Sequence, residues 1–147
     1  MNAILKRQVD RLNQILPGLF KHLHIFDPQK LYGIEVTFQQ YFLMDILLSR
    51  GKCMMSELSQ SLGVALSAVT SLVDKLIEKK YVHRERDLND RRVVWISLTD
   101  LGREITRTLN LRKRRQLEKA LKKLAVHERE KLVSLLEKLT NLLGEKK

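Results

Sequence analysis

Residues 81–98 narrow what this chain can become more than any other segment. Residues 81–86 are β-compatible, Asp87-Leu88-Asn89-Asp90 is rich in turn formers, and Arg91 and Arg92 follow at once. Residues 93–98 (Val-Val-Trp-Ile-Ser-Leu) are β-branched and aromatic, with Val94, Ile96 and Leu98 alternating onto one face. The pattern predicts a β-hairpin with a charged tip. Directly before it lie two helical stretches, 56–62 and 65–80, broken at Gly63. In the second, Val69, Leu72, Val73 and Leu76 make an apolar face, with Ser67, Ala68, Ser71 and Lys75 opposite. Two helices meeting at a tight glycine turn, followed by a hairpin, spell a winged helix–turn–helix.

The flanks are helical. Leu5, Val9, Leu12, Ile15, Leu16, Leu19, Phe20 and Leu23 recur at helical spacing, and Pro17-Gly18 is expected to kink or split that helix. Residues 27–33, holding a proline and a glycine, read as a loop. Thr37-Phe-Gln-Gln40 matches a capping box opening a second, broadly apolar helix that Gly51 stops. After Thr99 a long charged helix begins, its apolar side marked by Leu109, Leu117, Leu121 and Leu124. Residues 127–143 form a last amphipathic helix with Leu132, Leu135, Leu136, Leu139, Leu142 and Leu143. Leucine stripes on helices this polar need a partner surface, and a second copy of the chain is the economical one. The expected organisation is an N-terminal dimerisation helix and loop (1–36), a winged helix–turn–helix domain (37–100) and C-terminal dimerisation helices (101–147). The fold class is mainly α with a small β-wing.

A net charge of +11 over 147 residues favours a polyanionic partner, nucleic acid or an acidic membrane surface. No apolar run approaches the roughly 18–20 residues of a membrane helix, and the polar start does not read as a signal peptide. With Cys53 as the lone cysteine, these features point to a soluble protein of the reducing cytoplasm. No carboxylate pair, nucleophile–base set or glycine-rich phosphate loop has convincing spacing, so an enzyme is not expected and no cofactor is called for. His22 and His24, two residues apart on a helix, point to different faces, and His83 and His127 are distant, so no metal site is expected. Cys53, in Lys52-Cys-Met-Met55, reads as a buried structural residue of a short strand, and Trp95 as a packing residue of the hairpin.

Over nearly its whole length the chain resembles the MarR family of regulators. The resemblance is strongest in Asp87-Leu-Asn-Asp-Arg-Arg92, Val93-Val-Trp-Ile-Ser-Leu-Thr99 and Gly102, which follow the family's Asp-x-Asn-Asp-Arg-Arg wing and its Leu-Thr-x-x-Gly closure. Ser56-Glu-Leu-Ser-Gln-Ser-Leu-Gly63 and Val69-Thr-Ser-Leu-Val-Asp-Lys-Leu76 also look like the family's helix–turn–helix. The resemblance implies a dimeric bacterial or archaeal repressor, often released by small phenolic or other aromatic effectors. It implies the order helix–helix–strand–helix–helix–strand–strand–helix–helix, with the first and last two helices intertwined between subunits. Ala65-Leu66 stands where members often carry Ser-Pro, removing an N-cap side chain, and Ser71 replaces a long polar residue. The operator therefore cannot be copied from a relative.

Arg92, at the hairpin tip, is the first candidate for entering a narrow minor groove, with Asp90 able to hold its guanidinium by a bidentate pair. Ser67, Ala68, Thr70, Ser71 and Lys75 are candidates for the groove or backbone face of the recognition helix. Lys75, Arg84, Arg86 and Arg91 read as phosphate contacts, while Asp74 and Glu78 are expected to face away from DNA or pair with lysines at helical spacing. An effector pocket between the dimerisation helices and the DNA-binding domain would draw on His22, Phe26, Tyr41 and Phe42. The leading expectation is a homodimeric repressor on a pseudopalindromic duplex operator. The alternative is an interaction or architectural module with only non-specific DNA affinity.

Overall fold

The computed structural model describes residues 2–22 and 33–145. The elements run α1 (Ala3–His22), α2 (Phe38–Arg50), β1 (Lys52–Met54), α3 (Met55–Leu62), α4 (Leu66–Glu78), β2 (Val82–Arg86), β3 (Val94–Leu98), α5 (Asp100–Leu121) and α6 (Val126–Gly144). The chain divides into two compact units, with the boundary after Leu111, inside α5.

Within the first unit, α1 is one helix that runs through Pro17 rather than splitting there. A proline inside a helix forfeits one backbone hydrogen bond, and the turns on either side carry enough helix-forming residues to continue past it. Of the segment expected to be a loop, only Gly33 falls within the described residues, in a turn with φ of 78°. The capping box opening α2 forms as its sequence dictates. The Gln40 amide donates to Thr37 Oγ1 at 3.1 Å, and the Thr37 amide to Gln40 Oε1 at 3.0 Å. Gly51 ends the helix at φ 86°, its N–H returned to the Leu47 carbonyl.

The core is built by Leu43, Met44 and Leu47 of α2, Leu58 of α3, and Val69, Val73 and Leu76 of α4. Val82, Ile96 and Leu98 of the sheet close it from the other side, with Leu109 of α5 also buried. Each such side chain, fully removed from water, stabilises by about 1.5–3 kcal/mol. The antiparallel sheet has the order β1-β3-β2. Its register places Lys52, Ser97 and His83 in one row, Cys53, Ile96 and Arg84 in the next, and Met54, Trp95 and Glu85 in the third.

In the second unit, α5 stops at Leu121, so Leu124 lies in the turn that follows rather than on the helix. That turn closes through the Lys123 amide to the Ala120 carbonyl and the Leu124 amide to the Leu121 carbonyl. Glu128 then accepts from the Ala125 amide at 2.8 Å and starts α6. Leu132, Leu135, Leu136, Leu139, Leu142 and Leu143 of α6 are all exposed.

Candidate nucleic-acid interface

The turn between α3 and α4 is stitched from both sides. Gly63 adopts the left-handed conformation, which a residue without Cβ enters at no steric cost, and donates to the Ser59 carbonyl at 3.0 Å. The Ser59 hydroxyl donates to the Val64 carbonyl at 2.6 Å. Ala65 caps α4 with backbone alone, as expected from the missing Ser-Pro. With Val69, Val73 and Leu76 buried, α4 turns Ser67, Ala68, Thr70, Ser71 and Lys75 to solvent. The Thr70 hydroxyl donates back to the Leu66 carbonyl at 3.0 Å, so its donor is spent on the helix and only its acceptor capacity faces outward.

The hairpin tip is organised by its carboxylates. The Asp87 amide donates to the Val93 carbonyl at 2.9 Å and the Val93 amide to the Asp90 carbonyl at 3.0 Å, closing the loop. Asp87 Oδ2 accepts the Asn89 and Asp90 amides at 3.3 and 3.1 Å, while Oδ1 accepts the Trp95 indole N–H at 3.2 Å. Lys52 Nζ lies 4.6 Å from the centre of the Trp95 ring, a cation–π contact that ties β1 to the wing. Trp95 therefore holds the tip as well as packing on the sheet. The three-bond role of Asp87 was not anticipated from sequence. Its signal was present in the Asp-x-Asn-Asp spacing of an Asx turn and in the indole eight residues on.

Asp90 grips Arg92 as expected. Arg92 Nε donates to Oδ1 at 3.1 Å, Nη2 to Oδ2 at 3.2 Å, and the Arg92 backbone amide also to Oδ1 at 3.0 Å. The Arg92 side chain is 91% exposed, so the pair fixes an outward-pointing guanidinium. Both carboxyls sit below the usual carboxylate range. The Trp95 N–H is the main cause at Asp87 and the Arg92 side chain at Asp90, with backbone amides adding to each.

Arg84 and Asp74 depart from the expected pattern. Asp74 does not pair with a lysine of its own helix; Arg84 Nη2 reaches across from β2 to Asp74 Oδ1 at 2.6 Å. An exposed pair of this kind contributes little stability, but it fixes the Arg84 guanidinium beside α4. Among the described residues, Lys75, Arg86 and Arg91 form no ion pair and are exposed. Thr70, Arg84 and Arg86 together with Met55 and Val94 line an open cleft of about 410 Å³ between α4 and the sheet.

Of the residues considered for an effector pocket, the neighbours Tyr41 and Phe42 differ in burial. Tyr41 is buried, its hydroxyl donating to Asn110 Oδ1, and Asn110 Nδ2 donates to Asp45 at 2.8 Å. Phe42, the next residue, points elsewhere: it is exposed and stacked on Phe38 with centroids 6.0 Å apart. His22 ends α1, and Phe26 lies outside the described residues. Cys53 is buried in β1, and burial pushes its thiol up. His83 Nε2 lies 2.7 Å from the Ser97 hydroxyl. Among the described residues no group of histidines, cysteines and carboxylates has metal-holding geometry, and no helix is long and apolar enough to cross a membrane.

The MarR family's sequence profile matches residues 36–94, which span the helix–turn–helix and most of the wing. MdtR of Bacillus subtilis, an HTH-type transcriptional repressor, is 36% identical over 90 residues, 59% of this chain and 56% of that protein. The crystal structure of Streptococcus pneumoniae FabT in complex with DNA superposes with a TM-score of 0.81 at 25% identity, over 92% of this chain and 96% of that one. A MarR family protein from Bacillus stearothermophilus gives a TM-score of 0.80 at 27% identity, over 99% of both chains. Residues 36–94 thus carry the MarR family's winged helix–turn–helix segment, and the chain is similar in sequence and in fold to DNA-binding transcriptional regulators of that family.

Proposed function

We propose that the protein is a homodimeric repressor that binds a pseudopalindromic operator in duplex DNA and is released by a small-molecule effector. The observation that carries this reading is the Arg92 guanidinium, exposed at the wing tip and clamped by Asp90, next to a recognition helix whose outer face is small and polar. Arg92 enters the minor groove, where negative potential is strongest when the groove is narrow. Ser67, Ala68, Thr70 and Ser71 allow α4 to approach the major groove closely, with Thr70 able only to accept. Lys75, Arg86 and Arg91 contact phosphates. FabT, of similar fold, is seen with DNA, which supports the assignment. The repressor designation of MdtR supports the sign of regulation.

Dimerisation is supported by the uncovered leucine face of α6, which no described residue buries. A two-fold dimer places the recognition helices about one DNA turn, roughly 34 Å, apart. Action on DNA sets the working compartment as the cytoplasm. The effector site is placed between the dimerisation helices and the DNA-binding domain, drawing on His22, Phe26, Tyr41 and Phe42.

Selection of duplexes from random-sequence DNA tests the function. The expected outcome is recovery of an inverted repeat that binds one dimer, with affinity falling about 10³–10⁵-fold between 50 and 200 mM salt. Equal binding of recovered and scrambled duplexes would instead establish the non-specific architectural role.

A further inference from the structure

We propose that Asp87 is the positioning residue of the wing, held by Trp95, and that the two together set the angle at which the Asp90–Arg92 fork is presented to DNA. The inference rests on the wing being the DNA-reading element. Asp90 fixes Arg92 relative to itself, but nothing in that pair fixes Asp90 relative to the sheet. Asp87 does so. One oxygen of its carboxylate receives the amides of Asn89 and Asp90, the backbone of the tip itself, and the other receives the indole N–H of Trp95 in β3. Trp95 is paired in register with Met54 of β1 and Glu85 of β2, so it is anchored in the middle of the three-stranded ladder. Lys52 stacks on its ring from the edge strand. A continuous chain of contacts thus runs from β1 through Lys52, Trp95 and Asp87 to the Asp90 amide, and from the Asp90 carboxylate to Arg92.

Charge and position make opposite predictions here, which gives the test its force. Neutralising an acidic residue in a DNA-facing wing removes repulsion from phosphate and should tighten binding. Removing a positioning contact should weaken it. Asp87→Asn keeps an oxygen for the tip amides, as Asx turns accept asparagine, but turns an NH₂ toward the Trp95 N–H or gives up one set of bonds. Trp95→Phe keeps an aromatic face for Lys52 and deletes the indole donor together with the five-membered ring that carries it.

The experiment measures binding of a fluorescein-labelled duplex, recovered by selection from random DNA, to the wild type, Asp87→Asn, Trp95→Phe and the double variant. Thermal unfolding is followed in parallel to establish that all are folded. Each single variant is expected to bind about tenfold more weakly, the order expected for losing a hydrogen bond to a charged group. The double variant should be no weaker than the worse single one, because both break the same contact. Without DNA, amide exchange at Asn89 and Asp90 should quicken in Asp87→Asn and Trp95→Phe. The emission of Trp95, the only tryptophan, should shift in Asp87→Asn. Folded variants that bind as tightly as wild type, or an Asp87→Asn that binds more tightly, overturn the proposal while leaving DNA binding intact. A wild type that binds no duplex, recovered or scrambled, overturns the function and the proposal together.

Discussion

Gly102 lies against the Tyr81 carbonyl so closely that a Cβ built on it would stand 1.9 Å from that oxygen. The contact is backbone to backbone, between the first full turn of α5 and the residue leading into β2. Neither partner can move aside without breaking the Thr99 amide's 3.0 Å bond to the same carbonyl. Gly102→Ala is therefore expected to destabilise by about 3 kcal/mol or more through overpacking, with Tm from calorimetry as the check.

Arg92→Ala should weaken binding of the recovered duplex while leaving the fold and its Tm unchanged, since the side chain is almost wholly in solvent. Asp90→Asn, which costs the clamp one acceptor oxygen, should weaken binding less. An unchanged affinity for Arg92→Ala would remove the wing from recognition.

Acid should loosen the wing late. Asp87 and Asp90 both have carboxyls held below the ordinary folded-independent value of 3.8. A carboxyl lowered on folding contributes order that is fully present above its unfolded value and is lost as pH falls through its lowered folded value. Trp95 emission should thus stay flat from neutrality down to about pH 4 and change only below it. Asp87→Asn should lose this acid step while keeping any step that belongs to global unfolding.

Cys53 should be inert in the folded protein. It is 1% exposed and its thiol is pushed up by burial, so little thiolate forms and none is accessible. Alkylation followed by mass spectrometry should show labelling only in denaturant. Rapid labelling of the native protein would contradict the position of β1.

The fold was readable where its determinants are local. The Thr37–Gln40 cap, the Gly63 turn and the alternation of Val94, Ile96 and Leu98 each need only neighbours in sequence, and each formed as spelled. The Asp90–Arg92 clamp, two residues apart, belongs with them. The Arg84–Asp74 pair was not readable because its partners lie ten residues apart on different elements, and only the docking of β2 beside α4 brings them together. Trp95 was half legible. Its place in a strand follows from its neighbours, whereas its bond to Asp87 depends on how the tip folds back over β3. Tyr41 and Phe42 show the limit of grouping by helix number, for adjacent helical residues diverge by about 100° and these two went to the core and to solvent.

Thr99 has a consequence for how such a molecule could move. Its amide binds the Tyr81 carbonyl, its hydroxyl donates to the Lys80 carbonyl at 2.6 Å and accepts the Gly102 amide at 3.0 Å, and its carbonyl takes the Arg103 amide at 2.9 Å. Arg103 also reaches back to the Leu98 carbonyl at 3.2 Å. The joint between hairpin and long helix is thus welded rather than jointed, with no slack for a hinge. The base of the wing and the opening turn of α5 are thereby joined through one residue's four backbone and side-chain bonds into a single rigid piece.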